Sequence, residues 1–199
     1  MIRAMVFIDH MNFTNSLKDY YQKEFGEVHE PRLDYKKFPH ELVKAVCPGV
    51  YLSKTFLFAP KPDDFLRTDT YWDNYYKWVT GMKNYKNFDV IEGDYVHRPV
   101  YGVTSPNIKD KSTYYKVEKG TDINMAVHVI TKAFHNSFDI GILVSGDSDY
   151  AMVLQQLKTI GKIGVIAAVK GQNIERIKPQ TDSNYIMDKN FFDLCLRNG

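Results

Sequence analysis

Five short apolar runs set the frame for this chain. They are "AMVFID" (Ala4–Asp9), "YLSKTFLFA" (Tyr51–Ala59), "FDVIEG" (Phe88–Gly93), "DIGILVSG" (Asp139–Gly146) and "KIGVIAAV" (Lys162–Val169), and they show little polar alternation. A strand with one wet face alternates, whereas a strand covered on both faces has no need to. Helical spacing fills the intervals: Asn12 to about Phe25, Asp69–Tyr85, Asp122–His135, Asp149–Thr159 ahead of Gly161, and a short piece near Asn173–Ile177. This alternation predicts an α/β fold, a doubly wound parallel sheet with helices on both faces. In the Asp122–His135 helix, Ile123, Val127, Ile130 and Phe134 form the expected apolar stripe, opposite Asn124, His128, Thr131 and His135. A length of 199 residues suits a single domain over 1–199, and an apolar content of 44% with 14% aromatics is enough for its core.

Two segments depart from the pattern. Pro31–Pro48 reads as an irregular connection with a short helix around His40–Ala45. Tyr95–Lys119 carries Pro and Gly punctuation and a basic centre. It reads as a hairpin-like excursion with a mobile Ser105–Lys111 tip, and it runs directly into the helix that Asp122 opens.

Charge is nearly balanced, with 26 Lys and Arg against 24 Asp and Glu. A pI near 8.3 permits a nucleic-acid partner without arguing for one, because a local patch matters more than the total. Cys47 and Cys195 are far apart and lack metal-ligand spacing, as expected of two ordinary thiols in a cytoplasmic protein. The apolar start "MIRAMVFIDHMNF" is too short for a signal peptide, and no run approaches the roughly 20 residues that cross a bilayer. No membrane partner is expected, and homo-oligomerisation is left open.

The Asp residues fall at informative places. Asp9 ends the first strand, Asp147 and Asp149 follow the fourth, and Asp122 opens the helix that feeds the fourth. Open α/β sheets gather their sites outside the carboxyl ends of the strands, where the strand order reverses. Neighbouring first and fourth strands would bring Asp9, Asp147 and Asp149 into one crevice, with Asp122 and Asn12 beside them. Clustered carboxylates raise one another's pKa unless a cation neutralises them. Carboxylates that leave room for water suit Mg²⁺ or Mn²⁺, which can activate water for phosphoryl displacement. Asp and Ser at helix starts are also ordinary caps. A D-x-D pair alone is shared with Asp-nucleophile phosphatases and sugar-nucleotide transferases.

The blocks "VFIDHMNF", "KGTDINMAVHVI" and "ILVSGDSDYAMVLQQLKTIGKIGVI" resemble the three signature blocks of NYN domains, the PIN-like group that includes LabA-like proteins. The resemblance implies a PIN-like parallel sheet ordered 3-2-1-4-5 and a metal-dependent nuclease acting on RNA. By match to the motif, Asp9, Asp122, Asp147 and Asp149 are implied as the acidic, Mg²⁺- or Mn²⁺-binding cluster. Asn12 would support it, and Ser145 would meet a phosphate or a metal-bound water.

His10 follows a buried strand end and is expected to point to the opposite face. His128 is expected on a solvated helix face. The Tyr71, Tyr75, Trp78 and Met82 stripe packs against the sheet or offers bases a stacking surface. Lys109, Lys111, Lys116 and Lys119 form a solvated edge or hold a phosphate backbone beside the acids, Lys119 above all. The favoured reading is an endoribonuclease, with an RNA-binding regulatory module and a small-molecule phosphatase as rivals.

Overall fold

The computed structural model describes residues 1–27 and 29–197. Strand β1 (Arg3–Asp9) is buried from Ala4 onward, and its side chains serve two cores. Ala4, Val6 and Ile8 enter one; Met5 and Phe7 enter the other. A central strand of a sheet covered on both faces has no wet face, which is why its sequence does not alternate. Each fully buried Val, Ile or Phe here contributes about 1.5–3 kcal/mol.

The remaining elements are α1 (His10–Phe25), α2 (Phe38–Val46), β2 (Tyr51–Pro62), α3 (Thr70–Met82), β3 (Phe88–Pro99), β4 (Tyr114–Lys119), α4 (Thr121–Phe134), β5 (Ile140–Val144), α5 (Ala151–Ile160), β6 (Ile163–Val169), β7 (Ser183–Met187) and α6 (Lys189–Leu194). Side chains of α1, α2, α3 and α6 line the first core, and those of α4 and α5 the second.

The seven-stranded sheet has the order β4-β3-β2-β1-β5-β6-β7. This corrects the expected 3-2-1-4-5 order, because a strand is added at each edge. β4 pairs antiparallel with β3, from Asp94↔Lys119 to Pro99↔Tyr114, and so forms the expected hairpin. β7 pairs parallel with β6. The chain reverses its direction of travel across the sheet at β1, which lies between β2 and β5.

Three helix expectations need correction. Of the expected α4 stripe only Ile130 packs against the second core; Ile123, Val127 and Phe134 are exposed, at 70%, 55% and 77%, and the helix buries Met125, Val129 and Ala133 instead. His128 therefore faces inward: it is half-buried, its Nδ1 meets the Asn124 carbonyl at 2.8 Å, and its ring lies edge-on to Phe58. Residues 173–177 form a turn rather than a helix, and a 3-10 turn follows at Lys178–Gln180. Both cysteines are free, and no described helix is long and apolar enough to cross a membrane.

Candidate functional site

Asp9 is the last residue of β1 and caps α1, its Oδ1 accepting the Asn12 amide at 3.2 Å. It follows Met5 and Phe7 onto the α4/α5 side of the sheet, where it is 3% exposed. Its Oδ2 lies 3.3 Å from the Ser145 hydroxyl and 3.1 Å from the Tyr150 hydroxyl. Burial pushes the Asp9 carboxyl up to about 7; the Asn12 amide pulls it down, and the negative charges of Asp122 and Glu118 add to the rise.

The Tyr150 hydroxyl also lies 3.2 Å from Asp122 Oδ1, so one phenol bridges two carboxyl groups. A phenol has a single proton to give. With Asp9 neutral, both contacts are satisfied: Asp9 donates to the phenol oxygen, and the phenol donates to Asp122. Tyr150 is 1% exposed, and burial followed by the charge of Asp9 pushes its own hydroxyl far up. It donates without ionising.

Asp122 lies one residue inside α4; the N-cap is Gly120, with φ 79°. Capping therefore does not account for Asp122. Glu118, on β4, faces the same crevice. Its carboxyl is raised by burial and by Asp122, while the Thr121 side chain opposes the rise.

The strand β5 delivers Ser145, which is 1% exposed and whose Oγ accepts the Asp147 amide at 3.1 Å. Asp147 then caps a 3-10 turn over Ser148–Tyr150, its Oδ1 accepting the Asp149 amide at 3.0 Å. Here the capping reading of the D-x-D pair holds for Asp147. Asp149 points outward and is exposed. Asn12 acts as a clamp: its Oδ1 accepts the Gly146 amide and the Gln172 Nε2, each at 3.0 Å, and Gln172 Oε1 in turn accepts the Val169 amide. The first turn of α1 and the loops after β5 and β6 are thus fixed to one another.

The structure joins Asp9 and Asp122 through Tyr150, sets Ser145 directly on Asp9, and leaves Asp147 and Asp149 at the rim. Among the described residues, no three His, Cys, Asp or Glu side chains stand close enough to hold a metal ion between them. The donors nonetheless suit a hard cation, being carboxyl and hydroxyl oxygens, and a cation would offset the burial and the neighbouring carboxylates that raise Asp9. Lys119 is exposed at the hairpin root, and Lys109 and Lys111 are exposed on its tip. The expectation of a loose tip meets internal ties: Thr113 Oγ1 accepts the Asn107 amide and donates to the Asp110 carbonyl.

His10 turns to the other face, as expected. It packs on Tyr75 and Trp78 with Tyr35 nearby, and burial lowers it to about 4, so it is neutral. The aromatic stripe divides: Met82 is buried, Tyr75 half-buried, and Tyr71 is 68% exposed. Sequence reasoning missed Tyr150, Glu118 and Gln172. The "DSDY" adjacency was the available sign for Tyr150; Glu118 and Gln172 depend on pairing and loop geometry that spacing does not reveal.

Comparison with known proteins fits this arrangement. The family model of the NYN domain matches residues 3–187, nearly the whole chain. The chain belongs to the NYN domain family. NYN domains are typically nucleases of PIN-like type. A crystal structure of a protein of unknown function from Vibrio parahaemolyticus matches with a TM-score of 0.54 and 13% identity, covering 98% of this chain and 96% of that one. That likeness shows a shared fold and nothing more. No curated protein matches significantly. This NYN domain therefore carries its acids at the carboxyl ends of β1 and β5 and at the start of α4.

Proposed function

We propose that this NYN domain is an Mg²⁺- or Mn²⁺-dependent endoribonuclease. The observation that carries the reading is the buried Asp9 carboxyl, linked through Tyr150 to Asp122 at the reversal point of the sheet. Asp9 and Asp122, with Asp147 and Asp149 from the rim, would hold the cation. When bound, the cation would offset their charge and activate water.

The chain's own residues would do the rest. Tyr150 keeps Asp9 and Asp122 in register. Asp122 accepts a proton from the attacking water. Ser145 donates to Asp9 and fixes the start of the D-x-D turn. Asn12 holds that turn against the loop after β6, which keeps the crevice shaped for a phosphodiester. Lys119, Lys109 and Lys111 would meet the RNA backbone before it reaches the acids.

End-labelled RNA incubated with the protein and Mn²⁺ should be cut internally. EDTA or Asp149→Asn should stop the cutting. RNA that binds but stays intact with Mn²⁺ would instead support a regulatory module. Turnover of a chromogenic phosphate ester with RNA left intact would point to a phosphatase.

Two further outcomes are expected. Mn²⁺ should raise the unfolding temperature, since a ligand that binds only the folded chain stabilises it by about 2.7 kcal/mol at a hundredfold excess over Kd. Calorimetry showing no affinity at millimolar Mn²⁺ would reject the metal assignment. Replacing Lys109 and Lys111 with Ala should weaken RNA binding and flatten its salt dependence by about one unit of slope per lost phosphate contact. Turnover at saturating RNA should barely change. Unchanged affinity across a salt series would make the tip a solvated loop.

A further inference from the structure

A cavity of about 410 Å³ opens at the other end of the sheet from the acids. It lies between the start of α2, the turn after α3 and the first residues of β2 and β3. Two of its lining residues, Leu52 and Thr55, pair with Ala4 and Val6 of β1. Those positions precede Asp9 by several residues, roughly 10–17 Å along the strand. The cavity is therefore separate from the crevice.

Its lining has a consistent chemistry. The titratable side chains are Lys36, His40, Lys86 and Tyr85, with no carboxylate among them. Three lysines around it are paired, Lys44 with Glu41 at 2.9 Å, Lys54 with Asp89 at 2.6 Å and Lys83 with Glu92 at 2.8 Å, whereas among the described residues Lys37, exposed at the start of α2, is not. Among the described residues, Lys36, His40 and Lys86 make no such pair. The Lys36 ammonium instead rests 4.5 Å from the centre of the Tyr85 ring, an aromatic face being its substitute for an anion. The rest of the lining is of two kinds. Pro39, Leu52, Tyr85 and Phe88 give flat and apolar surface, and the Asn84 and Asn87 side chains can both donate and accept.

We propose that this cavity is a second binding site, for a mononucleotide. The phosphate would take Lys36 and Lys86, with His40 beside them. The base would lie against Tyr85, with its polar edge toward Asn84 and Asn87. Unpaired cations call for an anion, and the aromatic and amide groups call for a base rather than a bare phosphate. The volume falls within the range of small-ligand sites. This assignment does not depend on the nuclease reading.

Calorimetric titration with adenosine and uridine 5′-monophosphates, adenosine and inorganic phosphate tests it. Metal should be kept out with EDTA so that the acidic crevice does not compete. A monophosphate should bind, and adenosine and phosphate should each bind at least about tenfold more weakly, since a charge-assisted contact and a stacked base each carry about that much. The exposed pair Lys36→Ala and Lys86→Ala should weaken the monophosphate about tenfold or more, with unchanged circular dichroism and melting. Phosphate binding as well as the nucleotide would overturn the base assignment. Full affinity in the double variant, or no binding of any monophosphate at millimolar concentration, would overturn the site.

Discussion

Asp9→Asn is expected to lower RNA cleavage by about 10²–10³ while making the metal-free protein more stable at pH 8. The two effects have one source. The Asp9 carboxyl is pushed up from 3.8 to about 7, first by burial. Between those pH values the folded chain holds a proton that the unfolded chain has lost. Stability therefore falls as pH rises through this window and levels off above about 7. The full cost is on the order of 4 kcal/mol. Asn keeps the acceptor for the Asn12 amide and offers an N–H toward Tyr150 and Ser145, yet it has no charge to bury. The variant should gain a few kcal/mol at pH 8 and almost nothing at pH 4. Urea unfolding in EDTA at several pH values measures this, and parallel pH curves for the two proteins would refute it.

Gly93→Ala is expected to be the most damaging single-methyl change near the site. A Cβ there would stand 2.4 Å from Thr121 Oγ1, 2.8 Å from the Lys119 carbonyl oxygen and 2.9 Å from the Thr121 amide nitrogen. Two of these atoms are backbone and cannot rotate away. The added methyl must push the start of α4 off β3, and Asp122 with it. A loss of about 2–3 kcal/mol, or roughly 4–12 °C in Tm, is expected. Gly81→Ala is the control, since nothing lies within 4 Å of its Cβ and the residue sits in α3. It should be neutral or gain about 0.5–1 kcal/mol. Equal melting of the two variants would show that the β3–α4 contact is looser than the distances say.

The sequence was most readable where burial is two-sided. β1, β5 and β6 announce themselves as unbroken apolar runs because both cores draw on them. β7, "SNYIM", stayed hidden because an edge strand with one wet side looks like a loop. The α4 stripe misled because periodicity finds the apolar face of a helix without knowing which face meets the sheet. Met125, Val129 and Ala133 repeat with the same four-residue spacing as a second stripe, and they are the ones covered. At the site, Asp9 and Asp122 were legible as acids at chain turning points. The phenol that joins them was not, since Tyr150 reads as one more apolar residue opening a helix. Lys36 and Lys86 gave no sign, because a cavity is made by elements far apart in the chain.

Six register pairs, from Asp94↔Lys119 to Pro99↔Tyr114, separate the hairpin tip from the root that holds Glu118 and leads to Asp122. Loop length costs little, about 0.6 kcal/mol per doubling. Apart from Ile108, which packs on Leu66, Trp72 and Tyr114, the stretch between Val100 and Thr113 is thus free to vary. Its length and composition can diverge between relatives, or be replaced by a grafted recognition peptide, while the zipped stem keeps Glu118 and Asp122 in place. Selectivity can then evolve on a different clock from chemistry.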